Sequence, residues 1–174
     1  MPITRLNHAV LYVSDAERSA AFYEEVLGFR RLPLGLPGAV FLHASGSSND
    51  HDLGLFSVGG GRSVPAGVRS RGVGLYHLAW EVDTLEELER IGQALAAARS
   101  LTGATDHGTT KALYGRDPDG IEFEVSWLVP AALIDDDARA GREHIRPLDL
   151  AADKARYGAH TPGGTGISSP AVLS

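Results

Sequence analysis

The chain contains no cysteine, which excludes a disulfide framework and any thiolate nucleophile or thiolate metal ligand. It has no apolar run approaching the roughly 20 residues that span a bilayer. The N-terminus shows no basic-then-apolar signal pattern, and Lys and Arg form no run. With a formal net charge of −6 and a pI near 5.6, an electrostatic nucleic-acid binder is not expected. These absences together predict a cytoplasmic protein that engages neither nucleic acid nor membrane. What is present is 174 residues, 43% of them hydrophobic. That is enough for one compact domain with a real core, open to construction from two halves.

The most ordered stretch is Leu113-Tyr114-Gly115-Arg116-Asp117-Pro118-Asp119-Gly120-Ile121-Glu122-Phe123-Glu124-Val125. Its centre, Asp117 to Gly120, reads as a tight turn, because Pro presets φ at the second position and Gly accepts a positive φ. The residues after it alternate: Ile121, Phe123 and Val125 on one face, Glu122, Glu124 and Ser126 on the other. This is a strand with one apolar and one polar face. Glu124 in mid-strand is either a solvated edge residue or a carboxylate aimed at something.

Read from the start, residues 6–13 (LNHAVLYV) form a strand on which His8 shares a face with Val10 and Tyr12. Ser14 and Glu17 make an S-x-x-E capping-box pattern that predicts a helix. Ala16, Ala20, Tyr23 and Leu27 form its buried side, and Gly28 stops it. Strands follow at residues 29–34, 39–44 and 51–58, giving a βαβββ module over residues 4–58. Residues 59–73, rich in Gly, Ser, Pro and Arg, read as a linker.

The order of elements then repeats. Residues 75–82 (LYHLAWEV) form a strand carrying His77, and Thr84 and Glu87 make a second capping box. Leu85, Leu88, Ile91, Leu95 and Ala98 mark a helix to about residue 99. Short segments at 101–102 and 110–114 lead into the turn and its strand, completing a module over 74–128. A shift of 69 residues (77 − 8) places His8 on His77, Val13 on Val82 and Leu55 on Glu124. An internal duplication is the economical reading. Residues 1–128 are thus expected as a single domain of α+β class: two paired βαβββ modules forming a curled mixed sheet around a site. Residues 129–174 form a charged C-terminal extension, with a short helix to Tyr157, expected to be partly disordered or packed as an arm.

Two imidazoles at the same position of a repeated unit, with one carboxylate on a third strand, make the facial triad. That triad holds a divalent metal on one side and leaves the other side open. Taken singly, a strand His is ordinarily a satisfied structural residue and a strand Glu is ordinarily solvated. The joint placement of His8, His77 and Glu124 is what points to a metal.

These residues, within LNHAVLYVSD, LYHLAWEV and LYGRDPDGIEFEV, resemble the metal-ligand motifs of the vicinal oxygen chelate superfamily. That superfamily groups glyoxalases, bleomycin- and fosfomycin-resistance proteins and type I extradiol dioxygenases. The similarity covers roughly residues 4–128, and fold alone does not name a reaction. His51, at the head of HDLGLF, together with His107 and Tyr114, gives the combination found in extradiol dioxygenases. The resemblance implies Fe(II), with Mn(II) as alternative, held by His8, His77 and Glu124. It implies His51 as acid/base residue near dioxygen, and His107 and Tyr114 as donors to the oxygens of a catecholic substrate. Catechol chelation needs a proton acceptor, and O–O cleavage needs a proton donor.

Relatives of the glyoxalase kind carry a fourth ligand on the last strand of the first module, where the shift places Leu55. A three-ligand site is therefore favoured. The alternatives are a metal-dependent thiol transferase of the fosfomycin-resistance kind and a non-catalytic drug-binding module of the bleomycin-resistance kind. Trp80, Tyr12, Phe41 and His43 are candidate pocket residues, and a homodimer or higher homo-oligomer is expected.

Overall fold

The computed structural model describes residue 3, residues 5–58 and residues 74–164. The expected linker at 59–73 and the end of the extension at 165–174 lie outside the described residues. The chain divides into two compact units, Met1–Gly72 with Asp117–Ile121, and Val73–Arg116 with Glu122–Ser174.

In the first unit the order is β1 (Ala9–Val13), α1 (Ala16–Leu27), β2 (Arg30–Arg31), β3 (Ala39–His43) and β4 (Leu53–Ser57). The sheet runs β1-β4-β3-β2, with β1 and β4 parallel and the other pairs antiparallel. The helix does start beside Ser14, but Asp15 is its cap, accepting from the Glu17 and Arg18 amides at 2.9 and 3.2 Å. Ser14 is occupied elsewhere. Its amide and hydroxyl donate to the two carboxylate oxygens of Asp119 at 2.9 and 2.6 Å. Arg18 adds donations to Asp119 and to the Pro118 carbonyl, both at 3.0 Å. Ala16, Ser19, Ala20, Tyr23 and Val26 form the buried face, so Val26 takes the place expected for Leu27. Gly28 ends the helix at φ +75°.

β2 is much shorter than the expected strand. Pro33 has no N–H for a ladder, and the Leu34 and Leu36 amides bond locally, to the carbonyls of Leu32 and Leu34.

The second unit repeats the topology: β5 (Leu78–Glu81), α2 (Leu85–Ala97), β6 (Leu101–Asp106), β7 (Thr110–Arg116) and β8 (Glu122–Leu128). Its sheet runs β5-β8-β7-β6, again with the first pair parallel, which bears out the duplicated order. Thr84 caps α2, accepting from the Glu87 amide at 3.2 Å. Leu85, Leu88, Ile91 and Leu95 are no more than 2% exposed, and each buried side chain contributes about 1.5–3 kcal/mol. Ala98 is the C-cap and exposed.

The extension packs on this unit through a 3-10 turn (Ala131–Leu133), α3 (Asp136–Gly141), β9 (Arg146–Pro147) and α4 (Leu150–Tyr157). β9 adds a fifth strand beside β6. Tyr157 of α4 lies against Trp127 with ring centroids 5.6 Å apart, and Lys154 pairs with Glu89 of α2 at 2.7 Å.

The turn after β7 is as expected. Gly120 has φ +84° and its amide bonds the Asp117 carbonyl at 3.0 Å. Asp117 Oδ1 accepts from the Asp119 and Ile121 amides, both at 2.9 Å. With the side chain buried, desolvation raises its pKa to about 6, against the pull of those two amides.

Candidate functional site

β8 alternates as its sequence predicts. Phe123 and Val125 are 1% exposed, whereas Glu122 and Glu124 stand half-buried on the other face. Glu124 is the register partner of Ala79 on β5 and of Tyr114 on β7. Its Oε2 lies 3.3 Å from His77 Nε2, and its Oε1 accepts from Ser126 Oγ at 2.5 Å. His77 immediately precedes β5, as His8 immediately precedes β1. Both strands therefore begin one residue after the His, at positions related by the same shift of 69 (78 − 9).

Tyr114 projects on the same face as Glu124. Its hydroxyl lies 3.0 Å from His107 Nε2, and Thr105 Oγ1 lies 2.9 Å from that nitrogen. Which atom donates in each contact depends on the imidazole tautomer. Burial raises the Tyr114 phenol above its ordinary pKa. Thr105 pushes the other way, and the nearby Glu124 carboxylate adds to the rise. The His77 and Tyr114 ring centroids are 6.0 Å apart, and Tyr76 lies 4.8 Å from His77.

Four of the six predicted site residues, His77, His107, Tyr114 and Glu124, are thus brought together within the second unit. The other two meet in the first unit. His8 and His51 have ring centroids 4.4 Å apart and tilted by 40°. Phe41 stands edge-on to His51 at 5.2 Å, and Asp50 Oδ2 lies 3.1 Å from His51 Nδ1. His8 is exposed, with Asn7 Oδ1 2.8 Å from its Nδ1.

Two readings of the sequence are corrected. The counterpart of Glu124 is Gly54, not Leu55: the shift of 69 carries Val10 onto Ala79, and Val10 pairs with Gly54 where Ala79 pairs with Glu124. One extra residue in the second module (124 − 54 = 70) moves the register. A Cβ on Gly54 would stand 3.4–3.5 Å from Val10, Phe41 and Phe56, and glycine ligates no better than leucine. Trp80 pairs with Val125, on the face opposite Glu124. His43 ends β3 opposite Arg30, on the same strand face as Phe41, in the electrostatic field of the buried Asp52 carboxylate.

Thr105 and Ser126 were missed. Each sits two residues from a residue already singled out, His107 and Glu124. The period of two places each on its partner's face, and that was the signal available.

Two donors of the kind a divalent ion takes, His77 and Glu124, stand side by side in the second unit. His77 Nδ1 is buried and has no hydrogen-bond partner among the described residues. Its Nε2 stands from Glu124 at about the ~3 Å that separates neighbouring donors around an ion held at ~2.1 Å. Ser126 supplies the outer hydrogen bond that a ligating carboxylate ordinarily has. Among the described residues no three His, Asp or Glu side chains form such a group by themselves. The pair His77 and Glu124 is what the second unit supplies.

The two modules share one order of elements and one sheet topology. The chain belongs to the Glyoxalase/Bleomycin resistance protein/Dioxygenase superfamily, whose model matches residues 5–125. It is 30% identical over 131 residues to a virulence protein of Salmonella typhimurium, covering 74% of this chain and 88% of that one. It is 29% identical over 126 residues to Metapyrocatechase 2 of Cupriavidus necator, covering 70% of this chain. The match spans only 36% of the metapyrocatechase's length. Among solved structures, a glyoxylase/bleomycin resistance protein/dioxygenase domain from Frankia superposes with a TM-score of 0.57 at 24% identity. It covers 72% of this chain and 98% of that domain. No described helix is long and apolar enough to cross a membrane.

Proposed function

We propose that this chain is an Fe(II)-dependent extradiol dioxygenase that opens a catecholic ring beside its vicinal hydroxyls and incorporates both atoms of dioxygen. The observation that supports it is the pairing of Tyr114 with Glu124 in one strand register, with His107 Nε2 3.0 Å from the phenol. Similarity to a metapyrocatechase supports it further. Gly54 opposite Val10 leaves the first module without the fourth ligand that glyoxalase-type isomerases use.

In this reading His77 and Glu124 hold the ion, and His8 is assigned as the third ligand from its duplicated position in the sequence. When bound, Fe(II) supplies a common centre for catecholate and dioxygen and a path for electron density between them. The residues supply proton control. Tyr114, its pKa raised by burial, keeps its proton at neutral pH and presents an O–H to a substrate oxygen. His107 accepts from or donates to the same phenol, so a proton released as the catechol binds has a neighbour to go to. His51 serves as the acid/base residue on the dioxygen side.

The test is to purify the protein without air, load it with Fe(II), and follow dioxygen consumption and the coloured ring-opened product over a panel of catechols. Turnover is expected. Bound iron with no turnover across the panel overturns the proposal. His51→Ala is expected to keep its iron and slow turnover by about 10²-fold or more. Loss of iron in that variant would make His51 a ligand instead.

A further inference from the structure

The segment that carries His107, residues 106–109, is held from outside the family fold. The family match ends at residue 125, and the elements that grip this segment come after it. β9 pairs with the end of β6, Thr105 with Pro147 and Asp106 with Arg146. Lys111, 2% exposed, places its Nζ 2.6 Å from Asp106 Oδ1 and 3.0 Å from Asp153 Oδ1 of α4. The same Asp106 oxygen accepts the Gly108 amide at 2.7 Å. Gly108 has φ +76°, and its backbone lies flat against α3. A Cβ there would come within 2.2 Å of the Ala138 carbonyl oxygen, and a Cβ on Gly141 within 2.7 Å of Gly108 Cα. The Thr109 carbonyl accepts from the Val129 amide at 2.9 Å. His107 therefore sits between two anchored neighbours, Asp106 and Gly108, both tied to the extension.

We infer that the C-terminal extension is a positioning element for the site: through Asp153, Lys111 and Asp106 on one side and through α3 on the other, it sets His107 against the Tyr114 hydroxyl. Asp153 is the positioning residue and touches neither substrate nor metal. The inference rests on the role proposed for His107, and it has a structural readout of its own.

A loop free to move would spread the 3.0 Å contact between His107 and Tyr114 over several geometries. A proton path works only with its groups within hydrogen-bond reach. An ion cluster with both carboxylates on a buried ammonium is stiff, because breaking it strands a buried charge.

The experiment compares the full chain with Asp153→Ala and Asp153→Asn. It reads the ring-nitrogen NMR shifts of His107, assigned by His107→Gln, and amide exchange at Gly108 and Thr109. His77 serves as internal control. The alanine variant is expected to shift the His107 signals and speed exchange at the two amides by about 10-fold or more, with His77 unmoved. The asparagine variant, which still accepts from Lys111, is expected to restore both readouts. Unchanged His107 signals in Asp153→Ala overturn the inference. So do equal movements of His77 and His107, or an asparagine variant that fails to rescue. Should Asp153→Ala not fold, Gly141→Ala presses on Gly108 from the α3 side and is read in the same way. If wild type turns over no catechol while the His107 signals respond as expected, the dioxygenase proposal fails and the positioning inference stands.

Discussion

Tyr114 and Glu124 are register partners across β7 and β8, ten residues apart in sequence (124 − 114) and joined by the turn that begins at Asp117. A phenol and a carboxylate are thereby fixed on one sheet face by backbone pairing, with no dependence on a flexible loop. A cross-strand pair holds its side chains about 5 Å apart at Cβ, which keeps the phenol and the carboxylate neighbours on that face.

Ser126→Ala tests the support under Glu124. The hydroxyl lies 2.5 Å from Oε1 and fixes the carboxylate's rotation. Loss of an outer hydrogen bond of this kind costs about 10- to 100-fold in metal affinity. Fe(II) titration is expected to show a fall in that range for Ser126→Ala and a larger one for Glu124→Ala. Unaltered iron affinity in Glu124→Ala would remove it from the ligand set.

Tyr114→Phe removes one oxygen and keeps the ring. Turnover is expected to fall by about 10²-fold or more, with iron content and melting temperature close to wild type. A variant that turns over at the wild-type rate would reduce Tyr114 to a packing residue.

Asp117 gives a pH signature of folding. Burial raises its folded-state pKa to about 6, above that of the unfolded chain, so the folded state holds the proton more tightly. The resulting stability is complete below about pH 4 and is lost as pH rises through about 6, by on the order of 3 kcal/mol at most. Asp117→Asn keeps an oxygen for the Asp119 and Ile121 amides and cannot ionise. Denaturant midpoints measured from pH 4 to 7 are expected to fall for wild type and to lose that component of the slope in the variant. Identical slopes would refute the assignment.

Lys111→Met leaves Asp106 and Asp153 facing each other without their shared cation. Removing one partner of a buried ion cluster costs about 3–5 kcal/mol. Urea unfolding at pH 7 is expected to show a loss of that size, smaller in acid because burial raises the pKa of the Asp153 carboxyl. A loss below about 1 kcal/mol would mean that water reaches the ammonium.

Much of this was legible in the sequence because it rests on period and repetition. The alternation from Ile121 to Ser126 gave the two faces of β8. The recurrence of a His before each first strand gave the duplication, and both helices lie where their apolar spacing put them. The misread details turn on long-range partners. Ser14 satisfies every local rule for a cap, yet an aspartate 105 residues away claims its hydroxyl and leaves the cap to Asp15. The counterpart of Glu124 slipped from Leu55 to Gly54 because one inserted residue moves a strand by one position, and only the ladder reveals it. The grip of the extension on residues 106–109 was invisible for the same reason. No periodicity connects Asp153 with Lys111.

The first unit includes Asp117–Ile121, and this bears on how the protein is made. During synthesis, the Ser14 and Arg18 groups at the start of α1 emerge long before Asp119 leaves the ribosome. A nascent chain halted at residue 72 holds every strand of the first sheet and lacks the carboxylate that receives those donors. The module that emerges first is therefore completed only after most of the second has been translated, and the loop between them closes late and slowly. A chain that stops at residue 72 leaves the Ser14 and Arg18 donors of the first unit without the acceptor that completes it.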